Sequence, residues 1–266
     1  MLKTRVISAI IGLPLILGTL FIGGNFLIVI VFLLSILGLY EFYNAFANVG
    51  YKPSAWIGYI STTIYYYLIA AKKNSIVSLL AILFIVILLL FLDILKRDNN
   101  IIDGAVTILG MIYVSFMFSN IIYLQNGAHG RFLVWLPFLT AWSSDTFAYF
   151  AGNAFGKNKL CYKISPNKTV EGSIGGILGS MIFSIVAGII FNNIGFSIPL
   201  LHYGIIGILC GIIGQIGDLF ASFIKRFCKV KDYGSILPGH GGILDRFDSI
   251  LFTAPTVYFY FTIILK

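Results

Sequence analysis

The sequence predicts an all-α, polytopic integral membrane protein with about nine transmembrane helices and a cytoplasmic N-terminus. Three observations carry that expectation. Of 266 residues, 59% are hydrophobic and only 11% charged, against roughly 25% charged in an ordinary soluble domain. The mean hydropathy of +0.96 extends the apolar excess along most of the chain, leaving too little polar surface for a water-exposed fold. Finally, the basic residues sort to one side of the predicted spans.

A membrane helix needs about 20 largely apolar residues. The punctuation yields candidates at 5–22, 26–47, 54–71, 75–95, 101–124, 132–152, 173–191, 199–224 and 247–265. Lys3 and Arg5 before the first apolar run imitate a signal peptide, but no small-residue cleavage site follows, so a first membrane helix is expected. Connections such as Gly23-Gly24-Asn25 and Asn192-Asn193-Ile194-Gly195 are short and turn-like. Residues 1–130 are expected to supply N-terminal helices and residues 131–266 the helices that carry the chemistry, in one membrane domain.

With the N-terminus inside, fourteen of the 18 Lys and Arg face the cytoplasm, and only Lys72, Lys73, Arg131 and Lys266 fall outside. The net charge of +8 is therefore chiefly a topological signal, and no nucleic-acid partner is expected. Nine of the fourteen crowd into two long segments, 153–172 and 225–246. Long ordered loops on a compact scaffold usually carry function. Cys161, Cys210 and Cys228 have neither disulfide nor zinc-ligand spacing.

Acids inside the spans are the next signal. Asp218 lies about two turns from the cytoplasmic end of its span, beyond the small-residue face Gly207, Gly211 and Gly214 and near Gln215, Ser222 and Lys225. An acid at that depth calls for a wet cavity, a cation or a metal. Asp145, with Tyr149 and Gly152 on its face, is a second such acid and could converge with Asp218. Glu41 and Asp93 sit nearer helix ends, where Lys52 or Lys96 and Arg97 are expected to neutralise them structurally.

The densest segment runs from Ser222 to Asp248. Asp245 and Asp248 are three apart at a helix start, which puts both carboxylates on one face. Paired hard oxygen ligands suit magnesium, which fills its octahedron with water and phosphate. The run Pro238-Gly239-His240-Gly241-Gly242 has the freedom to bring N–H groups to an anion, with Lys225, Arg226, Lys231 and Arg246 as fixed positive charge. A solvated basic turn with Asp245 as helix cap accounts for one residue of this set. His240 suits a general base, a metal ligand or a phosphate contact equally. Ser165-Pro166-Asn167-Lys168-Thr169-Val170-Glu171-Gly172 reads as a turn into a helix start able to hold phosphate through Lys168 and Thr169. Capping by Ser165 and Glu171 explains it as well. Gly172, Gly175, Gly176 and Gly179 read as a packing face.

The pattern Ser222-x-x-Lys225-Arg226, Lys231-Asp232-x-Gly234-x-x-Leu237-Pro238-x-His240-Gly241-Gly242-x-x-Asp245-Arg246-x-Asp248 resembles the signature of the phosphatidate cytidylyltransferases, also called CDP-diacylglycerol synthases. The resemblance extends to Asp145 with Ala148-Tyr149, to Ser165 through Thr169, and to Gln215-x-Gly217-Asp218. It implies a multi-pass enzyme of the cell membrane that transfers a cytidylyl group from CTP to phosphatidic acid. CDP-diacylglycerol and pyrophosphate would form at the cytoplasmic face of the bilayer, with Mg2+ as cofactor and a second cation left open. It implies Asp218, Asp245, Asp248 and Asp145 as metal ligands, with Lys225 and Arg246 catalytic alongside the first three. Ser222, Arg226, His240, Lys168, Thr169 and Asn167 would then contact substrate. An ion-coupled transporter is the alternative suggested by Asp145 and Asp218, and a lipid kinase or phosphotransferase is another. Glycine-rich helix faces suit a homodimer and internal packing equally.

Overall fold

The computed structural model describes residues 2–73, 76–97, 100–127, 129–196, 198–239 and 241–265. His240, a predicted site residue, and Lys266, assigned to the outer side, lie outside the described residues. The helices are α1 (Leu2–Ile22), α2 (Gly24–Ala47), α3 (Ala55–Ala70), α4 (Ile76–Arg97), α5 (Ile101–Gly110), α6 (Met117–Asn126), α7 (Gly130–Leu133), α8 (Leu136–Phe155), α9 (Val170–Asn193), α10 (Leu200–Phe227) and α11 (Leu244–Phe259). A widened π turn, Met111–Phe116, joins α5 to α6, and another, Tyr260–Ile264, continues α11.

Among the described residues, six segments are long and apolar enough to cross a membrane: Gly24–Ala47, Ile76–Leu95, Ile101–Asn126, Val170–Asn193, Leu200–Phe227 and Leu244–Ile264. They match six of the nine predicted spans. The other three are helical but do not meet the same standard. α3 has 16 residues, about 24 Å of helix against a hydrocarbon core of about 30 Å. α8 is interrupted by Thr140, Ser143, Ser144, Asp145 and Thr146. In α1 the described apolar stretch is Gly12–Ile22. Exposed Leu80, Phe84, Phe91 and Leu95 along α4 fit a helix whose surroundings are lipid. The protein is thus a multi-pass membrane protein built from helices.

One departure from all-α is a two-stranded antiparallel sheet of β1 (Lys159–Cys161) and β2 (Ser165–Thr169), with Lys159 opposite Thr169 and Cys161 opposite Ser165. Ser165–Thr169 was expected as a plain turn into α9. Its missing apolar alternation hid the strand, because both faces of so small a ribbon stay partly wet.

The chain forms two compact units, residues 1–122 with 227–246, and residues 123–226 with 247–266. In the first, Tyr43 of α2 packs where a Cβ on Gly58 or Gly110 would stand, and its hydroxyl donates to the Thr107 carbonyl at 2.9 Å. A buried ladder of hydroxyls links the helices, pairing Ser35 with Tyr66 at 2.6 Å, Thr62 with Ser115 at 2.8 Å and Tyr65 with Ser119 at 2.9 Å. Such pairs satisfy polar groups where water is absent. Ser54 Oγ donates to Asp93 at 2.5 Å, and the Lys52 backbone N–H donates to Asp103 at 2.7 Å.

In the second unit, glycines set the spacing. A Cβ on Gly172 would lie 2.8 Å from the Ala148 carbonyl, and one on Gly176 would lie 2.9 Å from the Ser144 carbonyl, so α9 lies directly against α8. Gly207 and Gly211 bring α10 onto the α9 backbone at Met181 and Ile177. The predicted packing faces are therefore real. Leu136, Tyr203, Ile206, Cys210 and Val257 fill the core between them.

Candidate functional site

A cleft of about 670 Å³ opens in the second unit between α8, the β-hairpin, α9 and α10. Its walls include Asp145, Tyr149, Asn167, Lys168, Thr169 and Asp218. The expected face of Asp145, Tyr149 and Gly152 does line one cavity, and Asp145 and Asp218 do converge on it.

Each wall has a local cause. Thr169 ends β2 in an extended conformation, and its hydroxyl accepts from the Gly172 N–H at 3.1 Å, capping α9. The cap is Thr169 and not Ser165, which is drawn into the strand. Glu171 turns back to accept from the N–H groups of Lys157 and Asn158 and from the Asn158 amide at 2.8 Å, fixing the entry to the hairpin. Gln215 is held at both ends by residue 173, accepting from Ser173 Oγ at 2.5 Å and donating to its carbonyl at 3.0 Å. Arg226, predicted to meet phosphate, donates through Nε to the Ile164 carbonyl of the hairpin at 3.4 Å.

The charges are arranged around Asp218. Lys168 forms an ion pair with its Oδ2, and Ser222 Oγ donates to Oδ1 at 3.4 Å. Asp248 comes alongside because Gly217 lets α11 approach: a Cβ there would lie 2.8 Å from the Asp248 carbonyl and 2.7 Å from the Phe252 ring. Asp218, Asp145 and Lys225 all act electrostatically on Asp248. Three acids and two lysines thus share one region. Asp145 and Asn167 are exposed, whereas Asp218, Asp248, Lys168 and Lys225 are partly buried. Among the described residues, no group of three or more His, Cys, Asp or Glu is gathered as ready metal ligands.

The first unit holds the rest of the predicted set. Asp245, buried, accepts at Oδ2 from the N–H of Tyr233 at 2.8 Å and of Gly242 at 3.0 Å. Gly239 and Gly241 take φ of 79° and 84°, which only glycine adopts freely. The Gly242 N–H is therefore directed at a carboxylate of the chain itself, where the sequence suggested an anion. Arg246 is exposed.

Sequence reasoning missed the partner of Glu41. This α2 residue is 1% exposed, and its two oxygens accept from the N–H of Ile243 at 2.9 Å and of Leu244 at 3.0 Å, at the start of α11. A lysine partner was expected, but the free N–H groups of a helix start neutralise a carboxylate as well. The only signal in the sequence was a lone acid in an otherwise apolar part of α2.

The cytidylyltransferase family matches the chain over residues 3–264. A phosphatidate cytidylyltransferase of Staphylococcus haemolyticus is 36% identical over 256 residues, 96% of each chain. One from Bacillus subtilis is 42% identical over 157 residues, 59% of this chain and 57% of that protein. One from Staphylococcus epidermidis is 35% identical over 259 residues, 96% of each. The chain belongs to the cytidylyltransferase family, among the phosphatidate cytidylyltransferases, and is an enzyme.

Proposed function

We propose that the protein transfers the cytidylyl group of CTP to phosphatidic acid at the cytoplasmic face of the cell membrane, releasing pyrophosphate. The observation that carries this reading is the cleft beside α8, α9 and α10, where Lys168, Asn167 and Thr169 stand with Asp145 and Asp218. Relatives bearing the phosphatidate cytidylyltransferase name match over 96% of the chain. An oxygen of the lipid phosphate attacks the α-phosphorus of CTP in line, a new P–O bond forms, and the bond to the β-phosphate breaks. A phosphomonoester is already largely ionised near neutral pH, so no strong protein base is needed. Lys168 and Lys225 supply positive charge to the phosphates, and Asn167, Thr169, Ser222 and Arg226 line or brace their path. The acyl chains stay in the bilayer, since withdrawing them costs about 0.8 kcal/mol per CH₂.

Magnesium fits the donor set, because it needs only one or two carboxylates and completes its shell with water and phosphate. Asp218 and Asp248 would hold it, with Asp145 in support, and it would neutralise charge on the departing pyrophosphate. Asp245, Arg246 and His240 carry their roles as metal and phosphate residues from the motif alone. The reading keeps the N-terminus cytoplasmic, counts nine crossings and assigns the chemistry to residues 131–266; the unequal distribution of Lys and Arg supports it.

The test is to incubate purified protein with labelled CTP and phosphatidate, then with ATP and a lipid alcohol. Labelled CDP-diacylglycerol in the first arm is the expected product. Product only in the second arm, or ion flux through reconstituted vesicles without CTP, would replace this reading.

A further inference from the structure

Glu41 of α2 lies 202 residues before the backbone it binds. Its carboxylate is fully enclosed, and each oxygen takes one N–H at the start of α11, Ile243 on one side and Leu244 on the other. The enclosure is shaped for it. A Cβ on Gly242 would stand 2.5 Å from both oxygens, and one on Gly234 would stand 2.7 Å from Oε1. Asp245 closes the same loop from within, tying Tyr233 N to Gly242 N. Two carboxylates therefore hold four backbone N–H groups of the segment 233–244, and Leu237 N adds a bridge to the Gly241 carbonyl at 3.0 Å.

A glycine-rich loop has many conformations of similar energy, so something must select one. Backbone N–H donation to a carboxylate is directional and charge-assisted, and inside an enclosed site it is worth more than in water. Glu41 also meets the positive end of α11, where an acid is stabilised. Asp248 is on the first turns of that helix. No residue of the family motif sits on α2, so the selection is made from outside the motif.

We propose that Glu41 is a positioning residue for cytidylyl transfer: it clamps the backbone of Ile243 and Leu244 to α2 and so fixes the glycine-rich stretch to which the motif gives a phosphate role. This rests on the function proposed above. Glu41 touches no substrate. It acts through the backbone of Ile243 and Leu244.

The experiment compares wild type, Glu41→Gln, Gly234→Ala and the double variant in detergent micelles, measuring KM and kcat for CTP and for phosphatidate together with the melting temperature. Glutamine keeps the size and one acceptor but turns an amide donor against one N–H. A positioning role raises KM for CTP at least tenfold in Glu41→Gln and leaves KM for phosphatidate within twofold, whatever the fall in melting temperature. Gly234→Ala, whose Cβ displaces the same carboxylate, raises KM for CTP likewise. In the double variant the two effects fall short of multiplying, because both break one contact. Lower kcat at unchanged KM, which a reduced folded fraction would give, overturns the proposal, as do wild-type kinetics or fully multiplicative effects. Should Glu41→Gln fail to accumulate, Gly234→Ala alone decides by the same split. A wild type without cytidylyl transfer overturns the function itself, a result distinct from any of these.

Discussion

The ammonium of Lys168, at the end of the hairpin, rests on the carboxylate of Asp218, deep in α10. An acid proposed to hold a divalent cation is thereby balanced by a cation of the chain itself, which solves the cost of an intramembrane charge before any ligand arrives. The lysine and magnesium then compete for one carboxylate. Lys168→Met is expected to lower the magnesium concentration for half-maximal activity several-fold while raising KM for CTP. A magnesium titration of both proteins checks this, and an unmoved midpoint counts against competition.

Asp218 and Asp145 both act on Asp248 as like charges. Groups held together against repulsion are the kind that function retains and stability alone does not. Asp218→Asn and Asp248→Asn should each lower kcat by about 10²- to 10³-fold, the range for loss of one preorganised charge contact. The melting temperature of Asp248→Asn should equal or exceed that of wild type, whereas Asp218→Asn also takes the partner from Lys168 and should melt lower. Activity and thermal unfolding measured on the same detergent preparation separate the two effects.

Gly217 is the point where α10 admits α11. Gly217→Val inserts three carbons against the Asp248 carbonyl and the Phe252 ring, an overpacking worth about 1–3 kcal/mol. The expected result is a lower melting temperature together with lost activity. Gly195→Val, at a turn where nothing surrounds the new Cβ, carries backbone strain only, since its φ is 100°. Activity per folded molecule should survive there.

The thiols should separate by access. Cys161 on β1 is partly exposed, whereas Cys210 and Cys228 are buried. Burial pushes the Cys228 thiol up to about 11 from its ordinary value of 9.0. Only the thiolate reacts quickly, so maleimide at neutral pH should label Cys161 first and the other two only on unfolding. The folded state holds the Cys228 proton longer than the unfolded state does. Its contribution to stability is therefore present below about pH 9 and lost as pH rises towards 11. Mass spectrometry of labelled peptides against time, and melting curves across that pH range, check both statements.

The membrane helices and the polar residues inside them were legible because lipid forbids what it does not use. Asp145 and Asp218 stood out as acids inside expected membrane spans, and Gly172, Gly175, Gly176 and Gly179 repeated at helical spacing. What stayed hidden depended on pairs far apart in the chain. Lys168 and Asp218 are 50 residues apart, and Glu41 and Ile243 are 202 apart. Nothing local in either partner specifies the other. Six of the nine expected spans meet the length and hydropathy of a crossing; α3 is too short, α8 carries Thr140, Ser143, Ser144, Asp145 and Thr146, and the described apolar stretch of α1 is Gly12–Ile22. Ser165 and Thr169 are both good caps, and the choice between them depended on strand pairing across the hairpin.

The widened turn Met111–Phe116 holds one residue more than an α-helix of the same height. Ser115, within it, and Ser119, just beyond, reach Thr62 and Tyr65 on α3. A single-residue loss inside that turn can be absorbed by tightening it, with the helix below keeping its rotation. The same loss in α2 would swing every later side chain by about 100°. The span from Ile101 to Asn126 therefore carries a built-in tolerance for change in chain length that α2, with Glu41 six residues from its end, does not have.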